Sequence, residues 1–354
     1  MLRRRRRRAG PRTVQRLRNG AMTADAGRHE GSPSPLSEAI DVHHHIIPPF
    51  YREAMANSGL GDPIENVDYP TWEVEDSLAM MERQGVASAV VSITDPGVYF
   101  ADTALAIELA REMNEYMAGL IADYPGRFGA FGVLPLPDPE AALAELPHAL
   151  DELGLDGIGV FTNYRGTYLG DPSLDELFAE LHRRGTVIHV HPAVPPAGDQ
   201  PNFGLPPSLY EFTFETTRLA AQLLYSGTLE RYPELRIILS HAGGAVPYLC
   251  KRLSYAPTIA AHLTERALAD PIGALQRLHY DTAMAGSPYS LPSLRAFVEP
   301  SQILIGTDFP FMPEWSGAEN NEALAEHGNF TPSEFDRVQR ENAAALFPRL
   351  AAAS

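Results

Sequence analysis

The chain alternates between two hydrophobic patterns. Short, nearly continuous apolar runs are separated by longer stretches in which apolar residues recur at helical spacing, such as EDSLAMMERQ and SLDELFAELHRR. The continuous runs predict buried strands, and the spaced stretches predict amphipathic helices. The candidate strands, in chain order, are AIDVHHHI, VASAVVSIT, RFGAFGVLP, LDGIGVFT, GTVIHVHP, LRIILSH, LHYDTA and QILIGTDF.

Strands and helices that alternate in this way predict a parallel sheet with helical crossovers, and eight such repeats favour a (β/α)₈ TIM barrel. The last helix should begin at TPSEF, where Thr331 is a candidate N-cap and Glu334 its capping-box partner. A doubly wound sheet is the alternative fold. It would more often have a glycine-rich phosphate-binding turn after its first strand, and the sequence has none there.

The N-terminal segment differs in composition from the rest of the chain. Residues 1–20 contain nine arginines and no acidic residue, and the following ADAGRHEGSPSP is rich in glycine, serine and proline. We therefore expect residues 1–36 to be a disordered tail and residues 37–354 to form a single barrel domain. An organellar presequence is the alternative for the arginine-rich segment. A secretory signal is disfavoured because no apolar segment follows it.

Charge and composition argue against several classes of partner. The whole chain has a formal net charge of −17, so the part without the nine N-terminal arginines carries −26. Such an acidic body disfavours nucleic acid as a partner, and no apolar run is long enough to span a membrane. The single cysteine, Cys250, rules out an internal disulfide framework and fits a reducing compartment, so we expect a cytoplasmic protein.

The first candidate strand carries three consecutive histidines in IDVHHHIIPP. Strand alternation would place Asp41, His43 and His45 on one face and His44 on the other. Two imidazoles that are two residues apart on one strand can converge on a single cation. Ordinary buried histidines with hydrogen-bond partners are the alternative interpretation.

Three other candidate strands also end in a residue that can bind a metal. VIHVHP ends near His191, IILSH ends in His241 and ILIGTDF ends near Asp308. The C-terminal ends of the strands of a (β/α)₈ barrel meet at one face, so these side chains should lie together. Histidine with carboxylate is the ligand set of a catalytic Zn²⁺ or a similar divalent ion. Asp281, at the end of HYD, could hold His241, contact a substrate or be purely structural.

The segments DVHHH, VHP, SHAGGAVP and GTDFPF resemble the amidohydrolase superfamily. They are most similar to its branch of aminocarboxymuconate-semialdehyde decarboxylase and related metal-dependent decarboxylases of aromatic acids. The resemblance extends from about Ile40 to the last helix. It implies a barrel of the metal-dependent amidohydrolase type.

The resemblance also implies a role for each of these residues. It makes His43, His45, His191 and Asp308 the ligands of one divalent metal ion, Zn²⁺ by preference and Mn²⁺ as the alternative, with no organic cofactor. In this branch His241 stays off the metal and handles protons, and Asp308 can also shuttle a proton.

The lysine content limits the number of metal ions. Superfamily members with two metal ions bridge them by a carboxylated lysine on the fourth strand. The only lysine of this chain, Lys251, follows the sixth strand. We therefore expect a mononuclear site.

Arg252 lies eleven residues after His241. The resemblance implies that Arg252 binds a substrate carboxylate across a dimer interface, so a homodimer or a dimer of dimers is expected. An ordinary solvated helix residue is the alternative, because Lys251 beside it shows that the segment tolerates exposed charge.

The function implied is non-oxidative decarboxylation of an aromatic or unsaturated carboxylic acid. A salicylate-type acid is favoured because IDVHHHIIPPFY resembles the start of methylsalicylate decarboxylases. In addition, the first long loop, from Pro48 to Trp72, offers only Arg52, which is placed too early to bind the second carboxylate of a dicarboxylate. Hydrolysis of a lactone, ester or amide is the alternative, since the same metal ligands serve both chemistries. A barrel that has lost catalysis and only binds a ligand is a third hypothesis.

Overall fold

The structure is a computed structural model that describes residues 34–61, 64, 67–196, 201, 203–326 and 330–351. Almost all of the predicted tail, residues 1–33, therefore lies outside the described residues. The described residues belong to one compact unit, Pro33–Ser354, in which Leu36 is already buried. Within the described part, no helix is long and apolar enough to cross a bilayer.

Eight parallel strands form the sheet, in the same order as in the chain. They are β1 Ala39–His45, β2 Val86–Ser92, β3 Phe128–Val133, β4 Gly157–Phe161, β5 Val187–His191, β6 Arg236–Leu239, β7 His279–Asp281 and β8 Ile303–Leu304. Parallel bridges from Asp41 to Ile305 and from His44 to Phe309 join the first strand to the last. The predicted (β/α)₈ barrel is confirmed.

Helices follow the strands; most of them form the outer layer, and the last two cover the N-terminal end of the barrel. They are α1 Pro49–Asn57, α2 Val74–Gln84, α3 Thr103–Asp123, α4 Pro139–Pro147, α5 Asp175–Arg184, α6 Glu211–Tyr225, α7 Thr228–Arg231, α8 Val246–Ser254, α9 Ala256–Ile259, α10 Pro271–Gln276, α11 Leu291–Phe297, α12 Glu314–Glu326, α13 Pro332–Asp336, α14 Asn342–Leu346 and α15 Pro348–Ala351. The predicted capping box at the start of α13 is present, because Thr331 Oγ1 accepts from Glu334 N and Glu334 Oε2 accepts from Thr331 N.

Two local features were not predicted. The pairing of β1 with β2 shifts register between Asp41 and His44, which interrupts simple strand alternation. A short antiparallel hairpin, Asn163–Tyr164 with Thr167–Tyr168, follows β4. Both features lie toward the C-terminal ends of their strands, where they change which side chains face the barrel mouth.

The N-terminal half of the barrel interior is apolar. There, side chains from the strands pack against the C-terminal helices, as in the contact of Phe131 with Phe347 at a ring-centroid distance of 5.6 Å. The members of this cluster are Ile40, Val42, Val90, Phe131, Val187, Ile238, Leu304, Ala343, Phe347 and Leu350. Burial of these side chains stabilises the barrel and leaves its other end for polar residues.

Candidate metal centre

Four side chains meet at the C-terminal end of the barrel. One ligand atom from each of His43, His45, His191 and Asp308 lies within 4.8 Å of the other three, and all four residues are buried. His43 Nε2 and His45 Nε2 are 3.1 Å apart, and Asp308 Oδ1 lies 3.4 Å from the first and 3.2 Å from the second. The structure therefore brings together the four residues that the sequence predicts as ligands.

The backbone places these residues in different ways. His43 and His45 lie on β1, and His191 is the last residue of β5. Asp308 lies beyond β8, in the left-handed region at φ 60°, and its N–H donates to His43 O at 2.9 Å. A non-glycine residue in this region stores strain, which the bond to β1 helps to hold.

The outward nitrogen of each imidazole has a hydrogen-bond partner. His43 Nδ1 is 2.9 Å from Asp281 Oδ2, and His191 Nδ1 donates to Pro192 O at 2.7 Å. His45 Nδ1 is 3.2 Å from Ser92 Oγ. These bonds fix the rings so that each Nε2 is available to the centre, as is usual for histidines that bind a metal. The residues present thus fit a single divalent cation with three nitrogen donors and one oxygen donor.

The pKa values of the four candidate ligands are shifted because these ionisable side chains are buried close together. Burial lowers the pKa of His43, but Asp281 and Asp308 outweigh it and raise the pKa to about 10. Burial lowers the pKa of His45 to about 4 and that of His191 well below its usual range. Burial would raise the pKa of Asp308, yet its bonds to His43 and His45 hold it well below the ordinary value. His43 therefore carries a proton that a bound cation would have to displace, whereas His45 and His191 are neutral and Asp308 is ionised, as metal binding requires.

His241 lies beside the cluster, in a turn after β6. Its ring centroid is 4.9 Å from that of His43 and 5.9 Å from that of His191. His241 Nδ1 donates to Ala283 O at 3.2 Å, which leaves Nε2 for a substrate. Burial lowers the pKa of His241.

The turn that carries His241 has a left-handed backbone, with φ of 55° at His241, 56° at Ala242, 71° at Gly243 and 60° at Gly244. A Cβ on Gly244 would lie 2.1 Å from Thr213 O, so only glycine fits there. The segment HAGG is therefore a structural requirement for presenting His241 next to the cluster.

Asp281 has a function that the sequence left open. Its carboxylate is fully buried, contacts His43 Nδ1, and accepts from the backbone N–H of His241 at 3.0 Å through Oδ1. His189 Nε2 lies 3.3 Å from Oδ2 of the same carboxylate. Asp281 thus orients one candidate ligand and the turn of His241 at the same time. The signal in the sequence was only a strand that ends in Asp.

Two other residues of β1, His44 and Asp41, lie away from the metal centre. His44 faces α2, with Nε2 at 2.8 Å from Ser77 Oγ, as predicted. The prediction that Asp41 shares the face of His43 and His45 is wrong. Its Oδ2 lies 3.1 Å from His44 Nδ1 and accepts from Thr307 Oγ1 at 2.6 Å. The register shift in β1 is the reason.

Arg252 is not part of this cluster. It is exposed on α8, and its side chain makes no hydrogen bond or ion pair among the described residues. Its predicted contact with a substrate carboxylate requires a partner subunit and stays a prediction.

The fold and this cluster of possible metal ligands are typical of an amidohydrolase-type barrel, and comparison with known proteins agrees. The amidohydrolase family model matches residues 40–349, so the chain belongs to the amidohydrolase family. A solved structure described as amidohydrolase II aligns with a TM-score of 0.81 at 29% identity, and the match covers 87% of this chain and 99% of that one.

Relatives of this chain include decarboxylases that act on aromatic acids. The 6-methylsalicylic acid decarboxylase of Aspergillus aculeatus is 36% identical over 321 residues, which cover 88% of this chain and 96% of the relative. A dihydroxybenzoic acid decarboxylase of Polaromonas, solved with manganese and 2-nitroresorcinol, aligns with a TM-score of 0.73 at 22% identity over 88% of this chain and 97% of its own. The predicted enzyme class, a carboxy-lyase of the amidohydrolase superfamily, is confirmed.

Proposed function

We propose that this protein is a metal-dependent, non-oxidative decarboxylase of a salicylate-type aromatic acid. The observation that carries the proposal is the buried set of His43, His45, His191 and Asp308 with His241 beside it. The resemblance of this chain to 6-methylsalicylic acid decarboxylases, over most of both chains, supports the substrate class.

The four predicted ligands would hold one divalent ion. When bound, such an ion would supply Lewis acidity that polarises the substrate. We favour Zn²⁺ because three imidazoles and one carboxylate match its preferred donors, whereas the manganese of the Polaromonas enzyme makes Mn²⁺ the alternative. Metal analysis of protein purified from cells grown without added metal would discriminate the two.

The chain's own residues handle the proton. Decarboxylation of an aryl acid replaces CO₂ by a proton on the same ring carbon, and protonation before C–C cleavage avoids a free carbanion. His241 Nδ1–H is held by Ala283 O, so Nε2 can take up and deliver that proton. Since burial disfavours the charged imidazole, a protonated His241 would be a strong acid toward the ring carbon. Asp308 is a second candidate carrier.

Arg252 and a homodimer form the remaining part of the proposal. Tyr248 is 83% exposed on α8, and Ile259 is 75% exposed on α9, which follows directly. This exposed apolar surface around Arg252 supports an interface through which Arg252 would reach the carboxylate of a substrate in the partner subunit. Sedimentation would give the oligomeric state. Mixing Arg252→Gln and His241→Asn chains would restore activity only if Arg252 acts across the interface.

Incubation in D₂O tests the reaction itself. Metal-loaded protein would be given salicylate, 6-methylsalicylate, dihydroxybenzoates and a set of lactones, and products would be analysed by mass spectrometry. We expect loss of CO₂ and one deuterium at the vacated carbon, with little turnover by His241→Asn. Hydrolysis of a lactone without release of CO₂ from any acid would contradict the proposal and favour the hydrolase.

A further inference from the structure

A cavity of about 620 Å³ opens at the C-terminal end of the barrel, beside the metal centre. Its volume falls within the range of about 300–1,000 Å³ that is typical of small-molecule sites. The loop after β2, the hairpin after β4 and the segment after β5 line it, with aromatic and proline side chains such as Tyr99, Phe161 and Pro196. A planar aromatic molecule suits such walls.

Phe161 borders both this cavity and the candidate ligand His191. Its ring is one wall of the cavity, and its centroid lies 6.2 Å from that of His191. Gly97 packs closely against this ring, because a Cβ on Gly97 would lie 2.7 Å from Phe161 Cε2. The cavity therefore shares a wall residue with the surroundings of the metal centre.

Arg165 provides a positive charge in this cavity. Its guanidinium carbon lies 5.0 Å above the ring centroid of Tyr99. Among the described residues, no carboxylate lies within ion-pair distance of Arg165, although the protein is strongly acidic. A guanidinium that is stacked on an aromatic ring and has no anionic partner is prepared to bind an anion from solution.

The turn that carries Arg165 is held in place by a buried carboxylate. Glu215 of α6 is fully buried and accepts from Asn163 Nδ2 at 2.9 Å and from Tyr168 Oη at 2.9 Å, so both ends of the hairpin are fixed. Arg218 balances its charge. None of these groups contacts the metal ligands. Their arrangement is explained if the position of Arg165 matters.

Asp95 is the acidic residue among the described residues that line the cavity. Burial raises the pKa of Asp95 to about 7, although Val194 N–H donates to it. A carboxyl group that is neutral in a large fraction of molecules near pH 7 can donate a hydrogen bond to an anion, so its presence is compatible with anion binding.

We propose that this cavity binds the edge of the aromatic acid that lies away from the reacting carboxylate, and that Arg165 selects acids with a second anionic group on that edge. The proposal rests on the proposed function, which supplies the aromatic acid. The only arginine of the first long loop, Arg52, is placed too early to bind a second carboxylate, which predicted a monocarboxylate, whereas Arg165 offers a second positive charge from a different loop.

Matched substrates test this selection. Salicylates with a sulfonate at ring position 4 or 5 would be compared with the corresponding neutral sulfonamides, in the wild type and in Arg165→Gln. We expect Arg165→Gln to raise KM for at least one sulfonate about tenfold, the usual size of a charge-assisted hydrogen bond, with kcat and both sulfonamides changed less than about threefold. Equal effects on sulfonates and sulfonamides, or no effect on either, would overturn the proposal.

A control variant and a binding measurement complete the test. Arg277→Gln removes an exposed arginine near the opposite end of the barrel and should change no substrate preference. Calorimetric titration of the metal-loaded protein with the sulfonates requires no turnover. If the sulfonates bind more tightly than the sulfonamides but no CO₂ is released, the proposed subsite is supported and the proposed decarboxylase activity is rejected. Release of CO₂ with no discrimination would retain the decarboxylase and reject the subsite.

Discussion

The two ends of the barrel use buried polar residues differently. At the C-terminal end, the ring nitrogens of His43 and His45 are within hydrogen-bonding distance of other groups, and Asp281 contacts three separate elements. At the N-terminal end, His279 at the start of β7 has a buried Nδ1 without a partner, and Arg349 pairs with Asp156 at the start of β4. The buried polar residues at the C-terminal end hold the candidate metal ligands together, whereas those at the N-terminal end only help to close the barrel.

Two candidate functional residues at the C-terminal end have a strained backbone. His241 and Asp308 adopt left-handed conformations at φ 55° and 60°, and both lie just beyond a strand at the C-terminal end. The N-terminal end is covered by α14 and α15, whose Phe347 and Leu350 are buried in the apolar cluster. Strain and buried charge are tolerated at one end because close packing at the other stabilises the barrel.

The largest expected effect comes from removing a charge at the C-terminal end. Asp308→Asn keeps the shape of the side chain but loses the carboxylate that faces His43 and His45. We expect kcat to fall by about 10³-fold, and the metal content of the purified protein to fall with it. Full metal content with an unchanged kcat would show that Asp308 is neither a ligand nor a proton carrier.

A change in pH should reveal the unpartnered histidine at the other end. Burial, aided by Arg236, lowers the pKa of His279 to about 4. The folded state disfavours the protonated ring, so its contribution to stability is complete above about pH 6.5 and is lost as the pH falls toward 4. The loss is at most about 3 kcal/mol.

The measurement is urea unfolding of metal-loaded protein at pH 7 and pH 4.5. His279→Gln should lose less stability between these pH values than the wild type does. The exposed His262→Gln is the control. An equal pH dependence in the wild type and His279→Gln would mean that His279 is solvated.

The strands and most of the candidate site residues could be predicted from the sequence, because they follow from local patterns of apolar and polar residues. Continuous apolar runs identified all eight strands, and residues at their ends identified His43, His45, His191, His241 and Asp308. The rule that parallel strand ends meet at one face then brought these residues together.

The missing parts depend on contacts between distant segments. Asp281 meets His43 only because the barrel closes, and a strand that ends in Asp does not name its partner. The register shift that turns Asp41 toward His44 leaves no signal in the pattern of IDVHHH. Likewise, Arg165 belongs to a hairpin too short to be recognised from apolar periodicity.

Asp281→Asn tests whether the hydrogen-bond network at the C-terminal end maintains the ligands. The amide oxygen can still accept from His241 N and Ala283 N, which places the amide NH₂ toward His43 Nδ1. His43 would then have to carry its proton on Nε2, the atom that faces the centre. We expect metal affinity to fall about 10- to 100-fold, measured by competition with a chelator. Unchanged affinity would show that Asp281 only supports the fold.

The smallest effect is expected for the matching carboxylate at the N-terminal end. Asp156 pairs with Arg349 and accepts from Ala130 N at 2.9 Å, and Arg349 Nη1 donates to Phe128 O at 3.1 Å. Asp156→Asn keeps an acceptor for Ala130 N but weakens a partly exposed ion pair, so the free energy of unfolding should fall by about 1 kcal/mol. Because the apolar cluster separates Asp156 from the metal centre, kcat and metal content should stay at wild-type values. A several-fold loss of kcat in fully metal-loaded Asp156→Asn would mean that closing the barrel at one end positions the ligands at the other, and the two ends would then be one cooperative unit.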